Sequence, residues 1–300
     1  MRKSLFGLAF PLLLAACSDG SGPTSTVFAP PPVGMQLATT PVTLAAGAEQ
    51  YLCWSVQVPQ DGAISLVGFE PHVPTTGVHH FAIFTDPEPL TQAGPYDCTT
   101  MGLQWGLVAG GGVGTPGLEF PAGTAMNISA GTQLIFQLHL LNVTTATLDM
   151  PAAYVNLIGT TETSFQPVGL LIGGTTNIDI PPHGTDVGFS GSCTLTQPMP
   201  NIFAVFPHMH KLGTRITAGV QATSSSTPVM ISDRTWDFSE QGVYPVTGSA
   251  AVGDQVNVSC YYDNPGATDV MFGLSTTDEM CVDVLYYYPA TAPSTYCGLG

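Results

Sequence analysis

The sequence predicts an all-β protein built from antiparallel β-sandwich domains. Turn-forming residues are abundant, with 34 glycines and 26 prolines among 300 residues. Only 9% of the residues are charged, and no amphipathic pattern of helical period is long enough to indicate a helix. Short runs of β-branched and aromatic residues, separated by Gly, Pro, Asp and Asn, are instead typical of strands in sandwiches.

The number of these runs predicts two domains. The clearest runs are residues 50–58, 63–69, 78–85, 133–142, 153–158, 176–180, 186–195, 202–208, 215–223, 255–262 and 282–288. About seventeen such strands are too many for one ordinary sandwich, so we expect two tandem, jelly-roll-like sandwiches. The domain boundary is expected between residues 160 and 167. The predicted domains are therefore residues 36–165 and 166–300.

The N-terminus is typical of an export signal. Arg2 and Lys3 precede an apolar stretch, residues 5–16, which is too short to span a bilayer as a helix. Residues 13–17 (LLAAC) predict a bacterial lipoprotein signal, with cleavage after residue 16 and lipidation of Cys17. The alternative is an ordinary secretory signal, with Cys17 lost or unpaired. Residues 17–35 are rich in Ser, Gly, Pro and Thr and predict a flexible tether.

Net charge limits the partners. Loss of Arg2 and Lys3 with the signal peptide would change the formal net charge from −16 to −18. Such an acidic chain is not expected to bind nucleic acid or anionic lipid. The sequence therefore predicts an exported protein, anchored in the bacterial cell envelope (outer membrane or cell surface) only through the lipid on Cys17. It does not predict an oligomeric state.

Besides Cys17 the chain has six cysteines. An even number in an exported protein predicts disulfides, and no CxxC pair indicates a zinc ribbon or a thioredoxin-like site. Spacing alone does not choose among the possible pairings. The six residues are Cys53, Cys98, Cys193, Cys260, Cys281 and Cys297.

Histidines give the main indication of chemistry. His208 and His210 are two residues apart in a run that is typical of a strand, so both imidazoles are expected on one face, where they can bind one metal ion. His79 and His80 are neighbours, which face opposite ways on a regular strand and share an ion only where the strand twists or ends. His139 lies alone on an apolar strand, where a buried core histidine is the commoner outcome.

A thioether completes the candidate ligands. Met280 precedes Cys281 and on its own would be assigned to packing. No carboxylate accompanies the histidines at the spacing of zinc proteases. Imidazoles with one thioether suit copper, since imidazole serves both oxidation states and soft sulfur favours Cu(I). A redox metal in an exported protein indicates electron transfer or oxygen chemistry.

These motifs together resemble a known family, the copper type II ascorbate-dependent monooxygenases, which include peptidylglycine α-hydroxylating and dopamine β-monooxygenases. The resemblance extends from about residue 50 to residue 297, in the family's order and at similar separations. The segments that carry it are 51–59 (YLCWSVQVP), 77–81 (GVHHF), 137–139 (QLH), 207–213 (PHMHKLG) and 275–281 (STTDEMC).

The resemblance implies two copper ions and three disulfides. His79, His80 and His139 would hold an electron-storing copper in the N-terminal domain. His208, His210 and Met280 would hold an oxygen-activating copper in the C-terminal domain and act as the catalytic residues. The implied disulfides are Cys53–Cys98, Cys193–Cys297 and Cys260–Cys281. Tyr51 and Gln137 match positions that orient the imidazoles of the first site, although both also fit as plain strand residues.

The implied activity is that of an oxidoreductase: hydroxylation of a C–H bond with O2 and a one-electron donor such as ascorbate. Peptide-amidating members place an arginine two residues before the HxH motif, where this chain has Phe206. They also place Asn and Tyr at the positions of Val282 and Val284. Because these polar contacts to a peptide carboxylate are missing, the expected substrate is a small apolar or aromatic molecule.

Two other functions remain open from the sequence. One is a surface lipoprotein that binds copper or relays electrons without catalysis. The other is a structural protein of the cell envelope in which the histidines only pack. Ascorbate-dependent O2 consumption separates catalysis from copper binding, and failure to bind copper would leave the structural role.

Overall fold

The computed structural model describes residues 28–88, 92–99 and 104–299. All regular secondary structure in these ranges is β-strand, which confirms the predicted all-β class. No helix long and apolar enough to cross a membrane occurs there. The predicted signal peptide, Cys17 and the first part of the predicted tether lie outside the described residues.

Thirteen strands lie among the described residues that precede residue 168, in the part of the chain that we call the N-terminal half. They are β1 (Gly34–Ala38), β2 (Val42–Leu44), β3 (Glu49–Gln57), β4 (Ile64–His72), β5 (Val78–Asp86), β6 (Tyr96–Asp97), β7 (Gly106–Gly112), β8 (Leu118–Glu119), β9 (Thr124–Ile128), β10 (Gln133–Leu141), β11 (Leu148–Met150), β12 (Tyr154–Gly159) and β13 (Gln166–Pro167).

The N-terminal half forms two main sheets and a small ribbon. One sheet has the order β1-β12-β4-β9-β13, with β8 also on β4, and the other has the order β6-β3-β10-β5-β7, while β11 pairs with β2. The strands pair antiparallel, except that β13 runs parallel to β9. Strand β10 is buried along almost its whole length, which indicates that both faces of its sheet are covered.

Eleven further strands lie in the described part of the C-terminal half, which ends at residue 299. They are β14 (Gly169–Thr175), β15 (Asp179–Ile180), β16 (Val187–Thr194), β17 (Met199–His208), β18 (Gly213–Gln221), β19 (Val229–Thr235), β20 (Tyr244–Ala250), β21 (Gln255–Tyr262), β22 (Val270–Met271), β23 (Cys281–Tyr288) and β24 (Ser294–Cys297).

Two sheets of the C-terminal half differ in exposure. The sheet β16-β21-β18-β19 includes strands whose residues alternate between more and less buried positions, as expected where one face meets water. The sheet β20-β17-β23-β14-β24 includes β14 and most of β23, which are buried continuously. Strands β15 and β22 form a separate pair. The division into domains at residues 165/166 stays a prediction.

The continuously buried sheets of the two halves face each other. Phe206 and Val284 of the C-terminal half belong to the same hydrophobic cluster as Phe81 and Phe136 of the N-terminal half. A glycine on β7 permits this approach, because a Cβ atom at Gly110 would lie 2.9 Å from the Phe206 ring. Strands β5 and β10, which carry His79, His80 and His139, are thereby brought close to β17, which ends at His208, and to β23, which begins directly after Met280.

The six cysteines pair as the resemblance implies. The disulfides are Cys53–Cys98, Cys193–Cys297 and Cys260–Cys281. By chain-entropy estimates each contributes ~3–5 kcal/mol to the free energy of unfolding, with the largest value for Cys193–Cys297, which closes the longest loop. The third joins β21 to the first residue of β23 and so fixes the chain directly after Met280.

The N-terminal segment packs against the sandwich earlier than expected. Residues 34 and 35, placed by the sequence at the end of the tether, belong to β1. Phe28 stacks on His72 with ring centroids 3.8 Å apart, and the Gln36 side chain donates to the Phe28 carbonyl oxygen at 3.0 Å. The tether is predicted from local composition, and composition contains no information about contacts with residues distant in sequence.

Candidate metal centre

The first histidine set consists of His79, His80 and His139. Each offers a ring nitrogen, and these atoms lie within 4.8 Å of one another. His80 on β5 lies directly opposite His139 on β10, but the next pair joins Val78 to Leu140, so the register shifts at His79. Such an irregularity re-aims a side chain. It explains how neighbouring histidines reach one site, an arrangement that a regular strand does not allow.

His139 is held by two residues of β3. Its Nε2 lies 2.8 Å from Glu49 Oε1, and its ring stacks on Tyr51 with centroids 4.0 Å apart and an interplanar angle of 13°. Tyr51 therefore contacts a candidate ligand, in the position expected of a residue that orients it. Gln137 instead donates weakly to the Cys98 sulfur at 3.7 Å, and its predicted orienting role stays a prediction.

The second set consists of His208, His210 and Met280. The two imidazoles have centroids 5.3 Å apart. Strand β17 ends at His208, so the expectation that His208 and His210 share one face of a strand is wrong for His210. The chain turns because the Glu279 carboxylate accepts hydrogen bonds from the backbone N–H groups of His210 at 3.0 Å and Leu212 at 2.6 Å.

Met280 is fixed from both sides. The residue before it, Glu279, is fully buried, and the residue after it, Cys281, is disulfide-bonded to Cys260. The Tyr262 hydroxyl donates to the Met280 carbonyl oxygen at 2.8 Å. The Met280 side chain lines the same cavity as His208. The turn that carries the thioether is thus tied to the turn that carries His210.

The two sets lie next to each other. The rings of His80 and His208 have centroids 4.9 Å apart, at an interplanar angle of 81°. Gln241 bridges the sets: its Oε1 lies 2.8 Å from His208 Nδ1, and its Nε2 lies 2.7 Å from His79 Nε2. The sequence did not predict this proximity, nor the roles of Gln241, Glu49 and Glu279. Each is an isolated polar residue, without a motif to mark it.

Burial keeps the imidazoles neutral. Removal from water lowers the pKa of His79 to about 3 and that of His139 to about 4, although the Glu49 carboxylate raises both values in part. Burial also lowers the pKa of His80, His208 and His210. Neutral imidazole is the form that binds a metal.

The orphaned nitrogens fit a bound metal. Among the described residues, His80 Nδ1, His139 Nδ1 and His210 Nε2 are buried without a hydrogen-bond partner. An unpartnered buried polar atom is costly, and metal coordination satisfies it. Three imidazoles in one set, and two imidazoles with a thioether in the other, form a donor set that suits copper. The residues present therefore fit the metal.

Copper loading is expected to stay nearly constant from pH 7 down to about pH 5. Imidazoles with the ordinary pKa of about 6.5 are mostly protonated at pH 5 and compete poorly for metal, whereas the lowered pKa values of His79 and His139 keep these rings neutral there. Bound copper is measured against pH at a fixed free-metal level. A loss of copper centred near pH 6.5 would contradict the described burial.

An apolar cavity opens beside the two sets. Its volume is about 250 Å³, and its lining residues come from both halves of the chain. His80, His208 and Met280 form part of the wall, while no Asp, Glu, Lys or Arg lines it within the described residues. A larger, more open depression of about 690 Å³ lies around Asp86 and Glu88 and holds none of the candidate ligands.

Comparison with known proteins identifies the class. Residues 167–298 match the model of the copper type II ascorbate-dependent monooxygenase C-terminal domain. The chain is 24% identical to peptidyl-glycine alpha-amidating monooxygenase A of Xenopus laevis over 83% of its own length, and 32% identical to tyramine beta-hydroxylase of Caenorhabditis briggsae over 37%. It is 25% identical over 77% to the human putative DBH-like monooxygenase protein 2.

Within residues 167–298 the chain is similar to the C-terminal domain of the copper type II ascorbate-dependent monooxygenase family, and the relatives named peptidyl-glycine alpha-amidating monooxygenase extend the similarity over 83% of the chain. The resemblance seen in the sequence is thereby confirmed at family level. The chain spans 27%, 21% and 51% of the lengths of these three relatives, in the order given. A solved structure of the Macrobrachium rosenbergii nodavirus also aligns, with 95% of this chain and 97% of that chain covered, at 11% identity and a TM-score of 0.21, and supports no inference.

Proposed function

We propose that this protein is a copper-dependent monooxygenase that hydroxylates a C–H bond of a small, uncharged, apolar or aromatic substrate. O2 and an ascorbate-like one-electron donor are the co-substrates. The observation that carries the proposal is the cavity of about 250 Å³ whose wall includes His80, His208 and Met280. A molecule in this space contacts candidate ligands of both sets at once.

The cavity wall supports an uncharged substrate. Phe206, Val282 and Val284, which stand where peptide-amidating members are expected to have polar residues, all line the cavity. A carboxylate or ammonium group placed there would lose its hydration without gaining a partner of opposite charge, which is strongly unfavourable. The volume, about 250 Å³, lies below the usual range of ligand pockets, about 300–1,000 Å³. These properties favour a compact apolar or aromatic molecule.

Two copper ions are proposed, one for each set. Copper supplies one-electron chemistry and the reduction of O2 when it is bound. The protein supplies neutral imidazoles, an apolar wall that excludes water, and a substrate position beside the ligands. The hydrogen bond between Gln241 Oε1 and His208 Nδ1 fixes the tautomer of that ring and leaves Nε2 free for the metal.

The proposal is tested by ascorbate-dependent O2 uptake with matched pairs of small aromatic compounds. Each pair consists of a neutral molecule and the same skeleton with a carboxylate or amine added. Substrate-stimulated uptake that favours the neutral partner, with formation of a hydroxylated product, supports the proposal. Copper binding without stimulated uptake across the panel would favour a copper-binding or electron-relay protein instead.

Phe206→Arg is expected to lower kcat/KM for a neutral aromatic substrate by at least about tenfold. The unpaired guanidinium group would lie in an apolar cavity wall and would also crowd Gly110. Phe206→Leu keeps the wall apolar and serves as the control, with a smaller loss. Equal kinetics for the arginine and leucine variants would show that the substrate does not contact this wall.

Location is a separate proposal. We infer that the mature protein is exported and held at the bacterial envelope through a lipid on Cys17, with no other membrane contact and no nucleic-acid partner. Cys17→Ser is expected to release the protein into the soluble fraction, as judged by fractionation and by fatty-acid labelling. Retention of the serine variant in the membrane fraction would contradict the anchor.

A further inference from the structure

Glu49 links the two halves of the candidate metal centre. Besides His139, its carboxylate contacts the segment that leads to Met280. Oε1 accepts a hydrogen bond from the Thr276 backbone N–H at 2.8 Å, and Oε2 accepts hydrogen bonds from the hydroxyls of Ser275 at 3.1 Å and Thr276 at 3.2 Å. One side chain of the N-terminal half therefore holds a first-set imidazole and the segment before a second-set ligand.

Tyr51 reinforces this contact. It lies two residues from Glu49 on β3, so both side chains project from the same face of the strand. Its hydroxyl donates to the Leu274 carbonyl oxygen at 2.7 Å, while its ring stacks on His139. Each of these two residues therefore contacts both His139 and the Leu274–Thr276 segment, which lies more than 220 residues away in sequence.

We propose that Glu49 is a positioning residue for both candidate metal sites, the one that fixes the His139 imidazole and fastens the Met280 turn against the N-terminal half. The inference rests on the assignment of the two sets in the proposed function. Glu49 belongs to neither set of candidate ligands, so this role is separate from metal binding itself.

The chemistry of the carboxylate explains both effects. A carboxylate beside His139 Nε2 stabilises the tautomer with the proton on Nε2, which leaves the unpartnered Nδ1 free for a metal. The same carboxylate gives charge-assisted hydrogen bonds to the Ser275–Thr276 turn, and such bonds are stronger than neutral ones. The placement of Met280 thereby depends on a residue next to the first set.

The experiment compares Glu49→Ala and Glu49→Gln in the full chain, with exposed Glu162→Gln as a matched control. Amide hydrogen exchange at Thr276 is measured first, on metal-free protein. The alanine variant is expected to exchange at least about tenfold faster, because a hydrogen bond to a charged acceptor is lost. The glutamine variant, which keeps an oxygen acceptor, is expected to restore most of the protection.

Copper spectroscopy then tests the positioning role. With copper alone as the probe, Glu49→Ala is expected to change the Cu(II) electron paramagnetic resonance spectrum of the first set. It is also expected to weaken the copper–sulfur signal in X-ray absorption of the Cu(I) form. Glu49→Gln should return both signals towards those of the unmodified chain.

Two results would overturn the inference. One is Thr276 exchange in Glu49→Ala equal to that of the control. The other is a lower melting temperature with both copper spectra unchanged, which would assign Glu49 a purely structural role. Neither readout needs turnover, so absence of hydroxylation alone would count against the proposed function and not against the role of Glu49.

Discussion

Replacing Met280 by isoleucine is expected to abolish hydroxylation while leaving copper on the first histidine set. The side chain lines the cavity beside His208 and is the one thioether in the candidate ligand set. Loss of a group that only supports a ligand commonly lowers metal affinity or activity by 10–100-fold, so loss of the ligand itself should lower activity by more than about 100-fold. Copper content and ascorbate-dependent O2 uptake are measured on the same sample.

Met271→Ile is the matched control for this experiment. Met271 is 62% exposed, so the same substitution there should leave copper content and O2 uptake unchanged. The first set shares no ligand with Met280, although the rings of His80 and His208 are adjacent. Full activity in Met280→Ile, or loss of both coppers together, would show that the ligand assignment is wrong.

Asp283→Asn is expected to make the protein more stable at pH 8 and to flatten its stability between pH 4 and pH 8. Asp283 is 1% exposed and neither carboxylate oxygen has a hydrogen-bond partner among the described side chains. Burial raises its pKa to about 8, against smaller opposite effects of the Val284 backbone N–H and of Arg234. The folded state therefore holds this proton where the unfolded chain, with a pKa of about 4, has released it.

The sign of the pH effect follows from this difference. Below about pH 4 the Asp283 carboxyl is protonated in both the folded and the unfolded chain, so its ionisation takes nothing from the free energy of unfolding. As the pH rises to about 8 the unfolded chain alone loses the proton, which lowers the free energy of unfolding by up to about 5 kcal/mol. Asparagine cannot ionise, so the variant lacks this dependence.

Denaturant unfolding at several pH values measures the effect. The difference in unfolding free energy between Asp283→Asn and the unmodified chain is expected to grow steadily from pH 4 to pH 8. Asp61→Asn, the same substitution at an exposed position, provides the control. A constant difference across this range would show that Asp283 ionises normally in the folded protein.

Strands with apolar alternation or long apolar runs could be predicted closely. The predicted run 255–262 coincides with β21, and the run 133–142 extends one residue beyond β10. Strand β7, residues Gly106–Gly112, was not predicted, because four of its seven residues are glycine and glycine is typical of turns. In the structure these glycines allow the C-terminal half to pack closely against β7. The residues that pack there are far away in sequence, so a local pattern does not indicate them.

The candidate ligands could be predicted from sequence, but their arrangement could not. Residue type and motif order identify the two histidine sets. In the structure the ring nitrogens of the first set lie close together, as this identification requires. The register shift at His79 and the turn after His208 depend on pairing and hydrogen bonds across the fold. The alternation of side chains along a regular strand predicts neither the register shift nor the turn. The bridging role of Gln241 depends on contact between the two halves and leaves no local pattern.

Copper stoichiometry of the purified chain tests the central claim most directly. The protein is loaded with excess copper, freed of unbound metal and analysed for copper per chain. Two adjacent but separate sets predict two copper ions per chain, with one lost in Met280→Ile. One ion or none in the unmodified chain would contradict the assignment of two metal sites.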